Sequence, residues 1–260
     1  MGMTPWVTRL IVANIIVYFL TATLPALAGL LAYVPAHTVA RPWTPFTYMF
    51  VHAGIGHILF NMLSLYFFGP MLEARLGSRH FLGLYVASGL TGALLSLAGS
   101  WFGAFPALAP IVGASGAVYG VMLGFARFWP RTRVLVYGVF PVEAWFLILI
   151  MITLTLFGTA GFGSPGVAHL AHLGGAAGGF VYLRIVERNT AAAKFRARAN
   201  PAPRPVADAD VERWKRIDPA ALHPVNREEF DRLMAKIAQG GTGALTADER
   251  KFLDRVTPAA

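Results

Sequence analysis

The chain has 260 residues, 56% of them hydrophobic and 13% charged, with a mean hydropathy of +0.55; this is too apolar for an ordinary soluble domain and reads as a polytopic membrane protein. The formal net charge of +9 does not form a basic face: up to Val186 there are eight arginines, no lysine and two acids, Glu73 and Glu143, a distribution that fits membrane topology rather than nucleic-acid binding. The chain has no cysteine, which excludes disulfides, thiolate nucleophiles and cysteine metal sites.

At about 20 apolar residues per span, the sequence predicts an all-α bundle of six membrane helices. They run roughly from Val7 to Ala28, Gly54 to Met71, Phe81 to Trp101, Gly113 to Trp129, Val134 to Phe157 and Ala168 to Val186. Ala26-Leu27-Ala28 resembles a signal-peptidase site, but the apolar run continues to Val34, so a retained first helix is expected. Arg75 and Arg79 follow the second helix, Arg127, Arg131 and Arg133 follow the fourth, and Arg184 and Arg188 close the sixth. Such clusters belong on the cytoplasmic side, which puts both termini there.

This topology sets the depth of the polar residues. The second, fourth and sixth helices all enter from the outer face, with His57, Asn61, Ser115 and His172 in their first two turns. The stretch from His80 to Ala126 contains no Asp, Glu, Lys or Arg, so Ser115 has almost no polar neighbours in sequence. Polar groups in hydrocarbon are costly unless they hydrogen-bond, so these residues should meet across helices. Gly116, Gly120 and Gly124 repeat down the fourth helix, and Gly175 with Gly179 and Gly174 with Gly178 repeat down the sixth. Small faces let backbones approach, which predicts that these two helices pack and bring Ser115 near His172.

Beyond the last span, residues 189–225 read as an Ala/Arg/Pro-rich linker and 226–260 as a small cytoplasmic helical hairpin with no evident chemistry. Asn226 with Glu229, and Thr246 with Glu249, are spaced as capping boxes, with the glycines at 240, 241 and 243 in the turn between two short helices. Residues 1–188 form the membrane-embedded domain.

A serine needs a base within hydrogen-bond reach to act as a nucleophile, and His172 is the leading candidate. Glu73 and Glu143 both fall toward the inner face, which argues for a Ser-His dyad rather than a triad. Tyr119, one turn below Ser115, is a possible ring partner for His172. His57 and Asn61 share one helix face and, with the Ser115 backbone N–H, could serve a developing oxyanion. His169 is the rival base, three residues before His172, but only His172 has glycines at +3 and +7.

These residues carry a resemblance to the rhomboid intramembrane serine proteases over most of Trp43 to Arg184. It rests on His52-x4-His57-x3-Asn61 in the second helix, Gly113-Ala114-Ser115-Gly116 with Tyr119 in the fourth, and Ala171-His172-x2-Gly175-x3-Gly179 in the sixth. The resemblance implies Ser115 as nucleophile, His172 as general base, and His57 with Asn61 at the oxyanion hole. Gly113, Gly116, His52, Gly175 and Gly179 would support them. It also implies a fifth helix that, with the 158–167 loop, gates lateral access of transmembrane protein substrates from the bilayer, and no cofactor or metal. Family members often carry Trp-Arg in the first outer loop; here Thr44 follows Trp43, and Arg41 stands two residues before it. The segment from Thr246 to Leu253 resembles a cytoplasmic domain appended to some bacterial rhomboids. The alternatives are a catalytically silent relative that binds and routes membrane proteins, disfavoured because Ser115 and His172 are both present, and a proton or ion relay, disfavoured because the polar residues occupy one layer.

Overall fold

The computed structural model describes residues 2–104, 106–136, 139–158, 169–189 and 208–257. The chain divides into two compact units, Met1–Thr190 and Ala191–Ala260.

In the first unit, α1 (Pro5–Thr23) opens with proline at its first position, where the missing N–H is no loss. The Glu73 carboxylate accepts from the Trp6 and Val7 amides at 3.1 Å and from Ser78 Oγ at 2.7 Å. An acid at a helix N-terminus meets orphan donors and the positive end of the dipole. Two short helices follow, α2 (Pro25–Leu31) and α3 (Thr44–Thr47). Arg41 Nη1 donates to the Gly29 carbonyl at 2.9 Å, and Trp43 Nε1 to that of Leu30 at 3.1 Å. The loop that carries Arg41 and Trp43 is thus tied to the end of α2.

The long helices α4 (Ile55–Leu76) and α5 (Ser78–Trp101) are separated by Gly77, whose φ of 78° lies in the left-handed region that favours glycine. Next come α6 (Ser115–Phe128) and α7 (Ala144–Phe157), then α8 (His169–Arg188). Six helices, α1 and α4 to α8, make the bundle. Of these, α1, α4 and α5 are each long and apolar enough to cross a membrane. Phe19, Phe67, Leu94 and Leu154 are all more than half exposed on its outside, as expected where the surroundings are lipid rather than water. The chain is an integral membrane protein with an all-α bundle fold.

The fifth span departs from expectation at its start. Residues Arg133–Val136 and Phe140–Glu143 pair as antiparallel strands β1 and β2, with Arg133 opposite Glu143 and Val136 opposite Phe140. The apolar run from Val134 is β-branched and is broken by Gly138 and Pro141, so it supports a hairpin better than a helix. The loop expected to share in gating lies, from residue 159 on, outside the described residues.

The two glycine stripes of α8 face two different helices. A Cβ at Gly175 would collide with the Gly116 carbonyl, and one at Gly179 would stand 2.8 Å from Gly120 Cα. Both positions pack against α6. The other stripe turns to α5: a Cβ at Gly174 would lie 2.5 Å from the Thr91 carbonyl, and one at Gly178 would strike the Thr91 side chain. The expected packing of the fourth span against the sixth is therefore made by the Gly175–Gly179 stripe, and the Gly174–Gly178 stripe serves α5.

The second unit contains α9 (Asp208–Lys215), α10 (Pro224–Gly240) and α11 (Ala247–Val256). Trp214, Phe230, Leu233 and Leu253 are buried together in its core. The linker expected over 189–225 therefore gives way to helix at Asp208: Val211 and Trp214, three residues apart, supply an apolar face. Thr246 and Glu249 do form a capping box. Asn226 does not cap, because α10 starts earlier, at Pro224 after His223.

Candidate active site

Ser115 is the first residue of α6, and His172 is the fourth residue of α8. The approach of these helices brings His172 Nε2 within 2.7 Å of Ser115 Oγ. Gly116 and Gly175 permit it: a Cβ at Gly116 would press to 3.1 Å on the carbonyl oxygen of Ala171, the residue before His172. The Tyr119 ring stacks on the imidazole, 4.5 Å between centroids and 7° from parallel. Tyr119 Oη lies 3.0 Å from Thr155 Oγ1 on α7. Since the Thr155 hydroxyl donates to the Met151 carbonyl at 2.7 Å, Tyr119 is the donor of that bond.

His57 and Asn61 occupy the first two turns of α4, on the far side of the same cavity. His57 Nδ1 accepts from the Ala53 amide at 3.5 Å, which leaves Nε2 to carry the proton and donate. A Cβ at Gly113 would lie 2.5 Å from that Nε2, and the Gly113 φ is 119°; glycine is required there on both counts. Asn61 spends one amide proton on the His57 carbonyl, at 2.8 Å, and keeps the second. The cavity between these groups measures about 460 Å³ and is lined by Tyr48, His57, Asn61, Ser115, Tyr119 and His172, with apolar Phe60, Val118 and Met151 around them. Among the described residues no carboxylate lines it. Glu73 sits sixteen residues along α4 from His57, roughly 24 Å at the helical rise, and Glu143 accepts from Trp145 Nε1.

The loop that delivers Ser115 is pinned by backbone. Tyr33 and Ile111 exchange amide bonds at 3.0 and 2.7 Å, and the Gly113 amide donates to the Tyr48 carbonyl at 3.0 Å. His52 belongs to this support: its Nε2 accepts from the Ala114 amide at 3.5 Å, and its ring meets that of His57 edge-on at 5.0 Å. It does not line the cavity. His169 also stays outside it, edge-on to His172 with centroids 6.4 Å apart and packed where a Gly158 side chain would be.

Two contributors have no sequence signature here. Tyr48 donates through its hydroxyl to the Gly89 carbonyl at 2.7 Å and walls the cavity, but its partner is on a distant helix. Thr155 lies in an otherwise apolar span and matters only because α7 passes Tyr119. Either could have been flagged as a polar group in an apolar setting, with no means of naming its partner.

The rhomboid domain model matches residues 39–189, more than half of the chain. Among curated proteins, Rhomboid protein 1, mitochondrial, of Saccharomyces cerevisiae is 38% identical over 139 residues, covering 51% of this chain and 38% of the yeast protein. RHOMBOID-like protein 12, mitochondrial, of Arabidopsis thaliana is 35% identical over 149 residues, covering 53% of this chain and 44% of the plant protein. Rhomboid protease GluP of Bacillus subtilis is 31% identical over 138 residues, covering 53% of this chain and 25% of GluP. The chain thus spans less than half the length of each of these relatives. With its matched segment running from the loop between α2 and α3 through α8, and so containing every residue around the cavity, the chain belongs to the rhomboid family.

Proposed function

We propose that this chain is a serine-type intramembrane endopeptidase that cuts membrane proteins in or near a transmembrane segment with a Ser115–His172 dyad. The observation that carries the reading is the 2.7 Å contact between Ser115 Oγ and His172 Nε2, opening on a cavity faced by His57 and Asn61. In this mechanism neutral His172 takes the Ser115 proton as Oγ attacks the scissile carbonyl carbon. The oxyanion accepts from His57 Nε2, the free Asn61 amide proton and the Ser115 N–H at the start of α6. His172 then gives its proton to the departing amine. Water, deprotonated by the same imidazole, releases the acyl group from Ser115.

Tyr119 and Thr155 would hold the imidazole plane, the part a carboxylate plays in a triad. The arginine clusters support a cytoplasmic location of both termini. The working unit would be residues 1–188, with no chemistry assigned to the second unit.

Labelling with a fluorophosphonate tests the dyad directly. The expected result is one adduct, mapped to Ser115 by mass spectrometry and lost in His172→Ala. Labelling that persists in His172→Ala would overturn the base assignment, and no labelling of the wild-type chain would favour the catalytically silent binder.

A further inference from the structure

A second cavity lies on the other side of α8, away from Ser115. This groove, of about 570 Å³, runs between α5 and α8 and is lined by Ala87, Leu94, Leu95, Ala98, Ala177 and Val181, among others. It is apolar along its length. Thr91 contributes a hydroxyl, but that donates inward to the Ala87 carbonyl at 2.8 Å. The remaining polar lining residue, Tyr182, marks one end, where its hydroxyl lies 3.3 Å from His80 Nδ1 and within charge-interaction range of Arg79.

That end is basic. His80 continues the Ala87 face of α5 through Gly83, and Arg188 continues the Ile185 face of α8 by one further turn. Arg79, His80 and Arg188 are all exposed. Among the described residues the membrane unit holds one ion pair, Arg127 with Glu187, and no carboxylate is paired with Arg79 or Arg188. An apolar trough with cations at one mouth has the chemistry of a lipid with an anionic headgroup. A second copy of this chain is a poorer occupant. Two copies sharing one membrane orientation and meeting through this face would bring their Arg79 and Arg188 ends together, like charge on like charge.

We propose that the α5–α8 groove is a binding site for one anionic phospholipid, with an acyl chain along Leu94, Ala98 and Val181 and the phosphate held by Arg79, Arg188 and the His80–Tyr182 pair. The site is distinct from the serine cavity and does not depend on the proteolytic reading.

The test is native mass spectrometry of the full chain released from mixed micelles containing phosphatidylglycerol and phosphatidylcholine. The wild type should retain one phosphatidylglycerol with roughly thirtyfold preference, the scale of two arginines acting on one headgroup. Arg79→Gln with Arg188→Gln should bring the two lipids to near parity. Val181→Trp, which fills the trough from its exposed rim, should reduce retention of both. Equal retention by the wild type, or a preference that survives both sets of changes, overturns the proposal. Because the chain has no cysteine, Leu94→Cys gives a clean second readout: efficient cross-linking between copies in membranes would assign the groove to self-association instead.

Discussion

Ser115 and His172 are fifty-seven residues apart and meet because glycine occupies the positions between their helices. The imidazole is set by a stacked Tyr119 and, through it, by Thr155, so the two neighbouring histidines should differ sharply. Ser115→Ala and His172→Ala should each abolish cleavage of a reconstituted substrate, while His169→Ala should retain most of it; equal losses at His169 and His172 would contradict the geometry. On the opposite wall, His57→Ala should lower kcat by about 10²-fold, the usual cost of an oxyanion donor. Asn61→Ala should cost less, since one of its amide protons is already engaged with its own helix. The sequence places these side chains in one layer because charge sets helix direction, and direction sets depth. It could not reveal Tyr48 or Thr155, whose hydrogen bonds are made to helices distant in sequence.

At the scale of elements, the close approach of α6 and α8 is the feature most exposed to mutation. Gly175→Ala places a methyl group against the Gly116 backbone and should lower thermal stability in detergent by about 1–3 kcal/mol, as overpacking does. Gly29→Ala in α2 meets nothing within 4 Å and should be neutral or slightly stabilising. Gly175→Ala behaving like Gly29→Ala would mean the helices are less tightly apposed. Thr155 gives a finer test of α7. Thr155→Val leaves Tyr119 Oη without its acceptor and should lower kcat several-fold with KM little changed, whereas Thr155→Ser should restore it. Helix periodicity and the glycine spacings made the bundle legible, but not the β1–β2 hairpin, because Val134 to Val136 is as apolar as the span it precedes. Nor was α9 legible, since its apolar face amounts to little more than Val211 and Trp214 in an Ala/Arg/Pro-rich stretch.

Considered whole, the molecule joins a membrane bundle to a second compact unit with different stabilising forces. In the second unit the Lys236 ammonium, followed by the Thr246 amide, lowers the Glu249 carboxyl from 4.5 to about 2. A depressed acid contributes its stability in full above pH 4.5 and loses it as pH falls toward 2. Hydrogen exchange of the α11 amides, corrected for intrinsic rates, should show protection falling across that window. Glu249→Gln should flatten the change, and the contribution should shrink with salt because the pair is at the surface. For the bundle, the central claim is peptide-bond cleavage inside a membrane by Ser115 and His172. The most direct measurement is to reconstitute the full chain in liposomes with a labelled single-span substrate and identify the cut by mass spectrometry. One principal cut is expected in or beside the transmembrane segment, present in the wild type and absent in both Ser115→Ala and His172→Ala; cleavage that persisted in either variant would contradict the dyad.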